Sequence, residues 1–183
     1  MSQNTTATQP RTVQTADRGK LDVRALVLLA ILLAAGFILN LTLGNALAIV
    51  GIKPQFIIAA YALAILLIDA SYLQAIIFAV ISACVIQLTT SIPGLNFVTE
   101  TVAALAMVSL VKSGIGGKNV NPLVATFVTT LISGALFAVF GTVIMGGAIA
   151  SAAVKIPLVL GTAGFNAILV QALSIPVKKV FTK

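Results

Sequence analysis

The chain has 183 residues, 60% hydrophobic and 8% charged, with a mean hydropathy of +1.15 and a net charge of +7. This composition excludes a water-soluble globular domain and marks an integral membrane protein. The basic residues punctuate apolar spans instead of clustering with aromatics on one face, so membrane topology explains them and nucleic acid binding is excluded.

Residues 1–23 are rich in Thr, Gln, Asn and Ser without apolar periodicity, and read as a disordered cytoplasmic tail before a membrane domain over 24–183. The apolar segment behind them is too long for the h-region of a signal peptide. No charge interrupts the chain between Arg24 and Lys53, which predicts a first helix over 25–43 and a connection from Gly44 to Gly51. Pro54 suits the first turn of a second helix, 54–68. That helix covers only about 22 Å, so Lys53 must snorkel outward or the bilayer must thin around it. Asp69 marks a tight turn into a third helix, 71–88, and Pro93 and Gly94 break the chain before a fourth, 95–111. The segment Lys112 to Pro122 has the glycines, asparagines and proline of a surface loop. It lacks the spacing and the hydroxyl residue of a phosphate-binding loop. A fifth helix over 123–144, a Gly146-Gly147 loop and a sixth helix over 155–176 complete an all-α, six-helix membrane bundle.

An inside N-terminus places Arg11, Arg18, Lys20, Arg24, Lys112, Lys118, Lys178, Lys179 and Lys183 inside, and only Lys53 and Lys155 outside. The positive-inside rule therefore predicts an N-in, C-in, multi-pass protein of the plasma membrane.

Glu100 is the one acidic residue in the second half of the chain. The apolar residues between it and Lys112 are too few to cross a bilayer, so the crossing starts near Pro93 and carries Glu100 into the membrane. It lies about 18 Å along the helix from Lys112. An ionisable group there is costly and points to a function and a partner. Lys53 and Lys155 share its outer half of the membrane. Either a lysine simply neutralises Glu100 between helices, or the charges line a pocket open to the outside, where they suit the carboxylate and ammonium of a zwitterion. Lys155, Thr162 and Asn166 form one stripe of the sixth helix, Gln87 and Thr90 share a face at the end of the third, and Asn96 lies in the break. Phe97 adjoins the break and is the favoured aromatic to stack on a ligand ring, ahead of Phe56, Tyr61 and Phe165. Cys84, the single cysteine, excludes an intrachain disulfide and reads as a packing residue. Without histidine, most zinc sites and His-based triads are excluded. No nucleotide site, activated serine or aspartate pair can be assembled, so no cofactor and no enzymatic activity of this chain is expected.

Ala30-x-x-x-Ala34 in the first helix lets another helix approach closely. Together with Gly51-Ile-Lys-Pro54 opening the second helix and Leu88-Thr-Thr-Ser-Ile-Pro-Gly94 after the third, this pattern resembles the substrate-binding S components of energy-coupling factor (ECF) transporters, and more narrowly their tryptophan-transporter members. The likeness lies in motifs over 25–112 and in hydropathy beyond. It implies a chain that captures tryptophan or a similar small metabolite from outside. It also implies docking through Ala30 and Ala34 on a shared transmembrane coupling subunit driven by two ATPase subunits. The long polar tail departs from that pattern. A vitamin-binding S component, a stand-alone secondary carrier or channel, and a non-transporting scaffold remain as alternatives.

Overall fold

The computed structural model describes residues 23–48 and 54–181. The expected tail up to residue 22, Lys53 and the last part of the expected Gly44–Gly51 connection lie outside the described residues. Among those described there is no strand. Helix α1 spans Val23–Leu39 and runs on through a π-helical turn, Asn40–Gly44, and an α-turn, Asn45–Ala48. The first helix therefore does not stop at Leu43. Thr42 Oγ1 and Asn45 Nδ2 donate back to the carbonyls of Ile38 and Leu41, at 2.8 and 2.9 Å, and hold the additional turns.

Helices α2, Phe56–Ile68, and α3, Tyr72–Ile86, lie close to their expected positions. Asp69 closes α2 in the left-handed conformation, and Ser71 and Gln74 form a capping box that starts α3. Cys84 does not pack in the core; it lies exposed on the outer side of α3, away from the buried stripe of Ala75, Phe78, Ala79 and Ser82.

Helix α4 spans Leu95–Ser113 and α5 spans Gly117–Ile144, so Lys112 to Pro122 is not a long loop. Gly114 and Gly116 take positive φ and turn the chain within three residues. Asn121 Nδ2 reaches back to the carbonyls of Leu110 and Ile115, at 2.9 and 3.1 Å, giving the end of α4 the donors it lacks. Pro122 is thus inside α5, near its start, where few ladder bonds precede it. A 3-10 segment, Ile149–Lys155, leads into α6, Ile156–Phe181, which continues through Pro176 instead of ending there. Ser174 Oγ donates to the carbonyl of Gln171 in the turn that the proline weakens.

Four stretches, Val23–Leu47, Leu95–Ser113, Asn121–Ile144 and Ile149–Lys179, are long and apolar enough to cross a membrane, which marks a membrane protein; α2 and α3 are shorter. The bundle is built around α2. A helix that is apolar all round belongs in a core, and every residue of α2 from Phe56 to Leu66 is buried. It packs against all five other helices. The α1 backbone comes up against it at Gly36, where an added Cβ would stand 2.9 Å from the carbonyl oxygen of Phe56.

Gly36→Ala is therefore expected to lower the melting temperature of the purified protein, at a cost of about 1–3 kcal/mol for forcing packed backbones apart. Gly161 of α6 has open space around it. Gly161→Ala serves as the control and should leave the melting temperature unchanged or slightly higher. Equal melting of the two variants would show that α1 and α2 separate freely.

Candidate functional site

The turns after α1, the start of α2 and the α3–α4 and α5–α6 connections lie at one end of the bundle, and a cavity of about 600 Å³ is set there. Its wall takes Asn40 and Asn45 from the turns after α1, Gln55 and Ile58 from the start of α2, Thr89, Thr90 and Ser91 from the chain after α3, and Asn96 and Glu100 from α4. Thr130, Ser133, Gly134, Phe137 and Ala138 of α5 and Lys155, Leu158, Val159 and Thr162 close the other side. Cavities of this size hold small organic ligands.

Glu100 is only 3% exposed, and its side chain is held by hydroxyls from three helices. Tyr61 of α2 donates to Oε2 at 2.9 Å, while Ser133 of α5 and the adjacent Thr99 donate to Oε1 at 2.7 and 3.3 Å. An ionised carboxylate accepts all three. Among the described residues no lysine reaches Glu100, so the expected Lys–Glu contact is absent there. Lys155 does lie on the cavity wall, but its ammonium donates to Thr142 Oγ1 at 3.1 Å. Thr142 is nine residues beyond Ser133 on α5, a rise of about 13 Å. One cavity wall thus carries a carboxylate and an ammonium that are held apart.

The other expected residues divide between wall and frame. Thr90 and Asn96 are on the wall, with Asn96 Nδ2 donating to Thr90 Oγ1 at 3.3 Å. Asn96 is 4% exposed, and its Oδ1 has no partner among the described residues. Gln87 is off the wall and accepts from the Gly94 N–H at 3.0 Å, which ties the α3–α4 connection. Asn166 is fully buried behind the wall and donates to the Gln55 carbonyl at 3.1 Å and to Thr130 Oγ1 at 3.4 Å. Phe97 is half-buried and off the wall, where Phe137 is the aromatic side chain. Phe56 and Phe165 stack edge-to-face on each other at 5.8 Å. Lys53 lies outside the described residues. Ala30 and Ala34 are exposed on the outward side of α1.

Asn40, Asn45, Gln55, Thr130 and Ser133 were not anticipated, and Tyr61, expected only as a candidate to stack on a ligand ring, instead donates to Glu100. A signal existed for two of them: Thr126, Thr130 and Ser133 recur at helical spacing on one buried side of α5. Asn40 gave none, because its role depends on the π turn that directs its Oδ1 to the Phe56 N–H at 3.0 Å.

Among the described residues, the fold and site together define an all-helical membrane protein with a largely apolar cavity, set with polar side chains, at one end of its bundle. Comparison with family models, with curated proteins and with solved structures gives no match to this chain.

Ser133→Ala should destabilise the protein by about 1.5–3 kcal/mol, the range for a hydrogen bond to a charged group. Ser82 is equally buried, but its hydroxyl has no partner among the described residues, and Ser82→Ala should cost far less. Thermal unfolding of both variants checks the contrast.

Proposed function

We propose that this chain is the substrate-binding S component of an ECF-type importer in the plasma membrane, and that it binds a small amino acid, tryptophan above all, from outside. The observation that carries this reading is Glu100: a buried carboxylate on the wall of a cavity of about 600 Å³, without a cationic partner among the described residues. A ligand ammonium supplies that cation. Phe137 is the aromatic side chain on the wall available to the ligand ring.

All six helices cross the membrane in this reading, with both termini inside. The shortness of α2 fits it, because α2 is wrapped by its neighbours and does not have to match the lipid thickness along its own length. The charge distribution agrees as well. Lys155 is at the cavity end, whereas Lys112 and Lys178 are near the other ends of their helices. Ala30 and Ala34, on the outward side of α1, are open to a coupling subunit, whose two ATPase partners would hydrolyse ATP.

Glu100→Gln should weaken tryptophan binding by about 1.5–3 kcal/mol while the protein still folds. Calorimetry with indole-3-propionate, which lacks the ammonium, isolates the contact. Equal affinity of the unmodified protein for tryptophan and indole-3-propionate would remove Glu100 from this role, and no binding of either would end the amino acid reading.

Topology has its own test. In a Cys84→Ser background, a cysteine at Ser91 should react with an impermeant thiol reagent in intact cells and one at Ser113 should not. The reverse pattern would invert the bundle.

A further inference from the structure

A second hollow lies behind the wall formed by Ala138 and Val159, which line both it and the cavity. It is a groove of about 290 Å³ between α5 and the chain that leads into α6, and every residue along it is Leu, Ile, Val or Ala. Leu131, Ala135 and Val139 come from α5, Ile149 and Ala152 from the 3-10 segment, and Ile156 from α6. Val139, Ile149 and Ile156 are exposed, so in a membrane protein the groove opens toward lipid.

A cation stands at one end of it. On α5, Leu131, Ala135, Val139 and Thr142 follow one another at i, i+4, i+8 and i+11, so Thr142 continues the stripe that lines the groove. It is off the cavity wall. On the other side, the three-residue turn of a 3-10 helix aligns Ile149, Ala152 and Lys155. The two stripes meet in a hydrogen bond, which Lys155 Nζ donates to Thr142 Oγ1 at 3.1 Å. Thr142 donates its own hydroxyl proton to the Ala138 carbonyl at 2.6 Å, which leaves its lone pairs to Lys155. An ammonium has three N–H groups. Among the described residues Thr142 is the one hydrogen-bond partner of Lys155, whose side chain is exposed.

The dimensions decide what fits. Thr142 is in the last turn of the apolar stretch Asn121–Ile144, which sets it near the membrane surface. From there to Leu131 the rise is about 16 Å, close to half of the ~30 Å hydrocarbon thickness. The groove is thus one leaflet deep. A further helix, ~10 Å across, would fill roughly 900 Å³ over the ~12 Å between Leu131 and Val139, far more than the groove holds. A hydrocarbon chain, whose carbons touch their neighbours at about 4 Å, is narrow enough. The chain alone gives no preference among lipids, because all of them carry such tails. Selection falls to the headgroup, and Lys155 favours a phosphate that brings no ammonium of its own to compete.

We propose that this groove binds an anionic phospholipid of the leaflet at the cavity end, with one acyl chain along α5 and the phosphate on the Lys155 ammonium. The site does not depend on what the cavity itself takes.

The chain has no tryptophan, so a single one introduced at the surface reports the lipid beside it. Leu160, one turn beyond Ile156 on α6, is exposed next to the groove without lining it. The full-length Leu160→Trp protein is reconstituted in phosphatidylcholine vesicles, and its fluorescence is quenched with rising proportions of brominated-chain phosphatidylglycerol or brominated-chain phosphatidylcholine. Phosphatidylglycerol should be favoured by about fivefold, the effect of one lysine at a membrane surface. Ile31→Trp reports from α1, which touches neither α5 nor α6 among the described residues, and should show a background preference below about twofold. Lys155→Gln should bring the Leu160→Trp ratio down to that background, and Lys155→Arg should keep it. Ala135→Phe fills the groove from an exposed position and should lower the ratio as Lys155→Gln does. A background ratio with Lys155 in place, a ratio that survives Lys155→Gln or Ala135→Phe, a ratio lost in Lys155→Arg, or an equal preference at Ile31→Trp overturns the site. If neither lipid quenches Leu160→Trp while both quench Ile31→Trp, a second copy or a partner chain covers the groove and the lipid site is wrong.

Discussion

A carboxyl group taken out of water has to be surrounded by donors, and Glu100 obtains its donors by drawing helices together. Tyr61 comes from α2 and Ser133 from α5, while α4 supplies Thr99 along with Glu100 itself. Neither the Tyr61 bond nor the Ser133 bond forms until its helix is packed against α4, because Tyr61 and Glu100 are 39 residues apart in the chain and Glu100 and Ser133 are 33 apart. The apolar packing around α2 has little directional preference of its own, since lipid tails solvate Leu and Ile as well as a neighbouring helix does. The acid in the middle supplies what the apolar contacts lack, a rotational setting for three helices at once. The cavity is a consequence of that setting.

The polar end of the bundle is organised in the same manner around backbone. Asn40 accepts from the first N–H of α2, and Asn166 of α6 donates to the carbonyl of Gln55. Two amides from the two helices flanking α2 thus meet its first turn: one takes an N–H that a helix start leaves open, and the other adds a donor to a carbonyl that already accepts from Ala59. They also fix the direction in which the start of α2 faces. The π turn in α1 is part of this device: the wider turn changes which residues share a face, and it brings both Asn40 and Asn45 to the cavity wall.

Much of this was legible in the sequence, and what was not has a physical reason. The lone acid between apolar runs could be placed in the membrane by counting residues to Lys112, and the stripe of Lys155, Thr162 and Asn166 by helical spacing. Spacing does not tell which member of a stripe reaches a cavity and which braces the wall, so Lys155 and Asn166 looked alike although only Lys155 lines the cavity. The partners of Glu100 were illegible for a different reason. Hydroxyl residues are common in membrane helices and contribute little one at a time, and only the tertiary fold gathers three of them. Glycine and proline misled near Lys112 to Pro122 and at Pro176. There, Asn121 and Ser174 offer hydrogen bonds that let a helix begin early or continue, a compensation that the local pattern does not reveal.

The central place of α2 also bears on how the chain is made. Synthesis runs from the N-terminus, so the ribosome delivers α2 second and α6 last. Until α6 arrives, one side of a helix meant to be enclosed stands open, its Gln55 carbonyl without the Asn166 amide that later covers it. The second helix to be born is therefore the last to be finished. In the interval, a short helix with one side uncovered must be sheltered by lipid headgroups, by the insertion machinery or by a bilayer that thins to meet it.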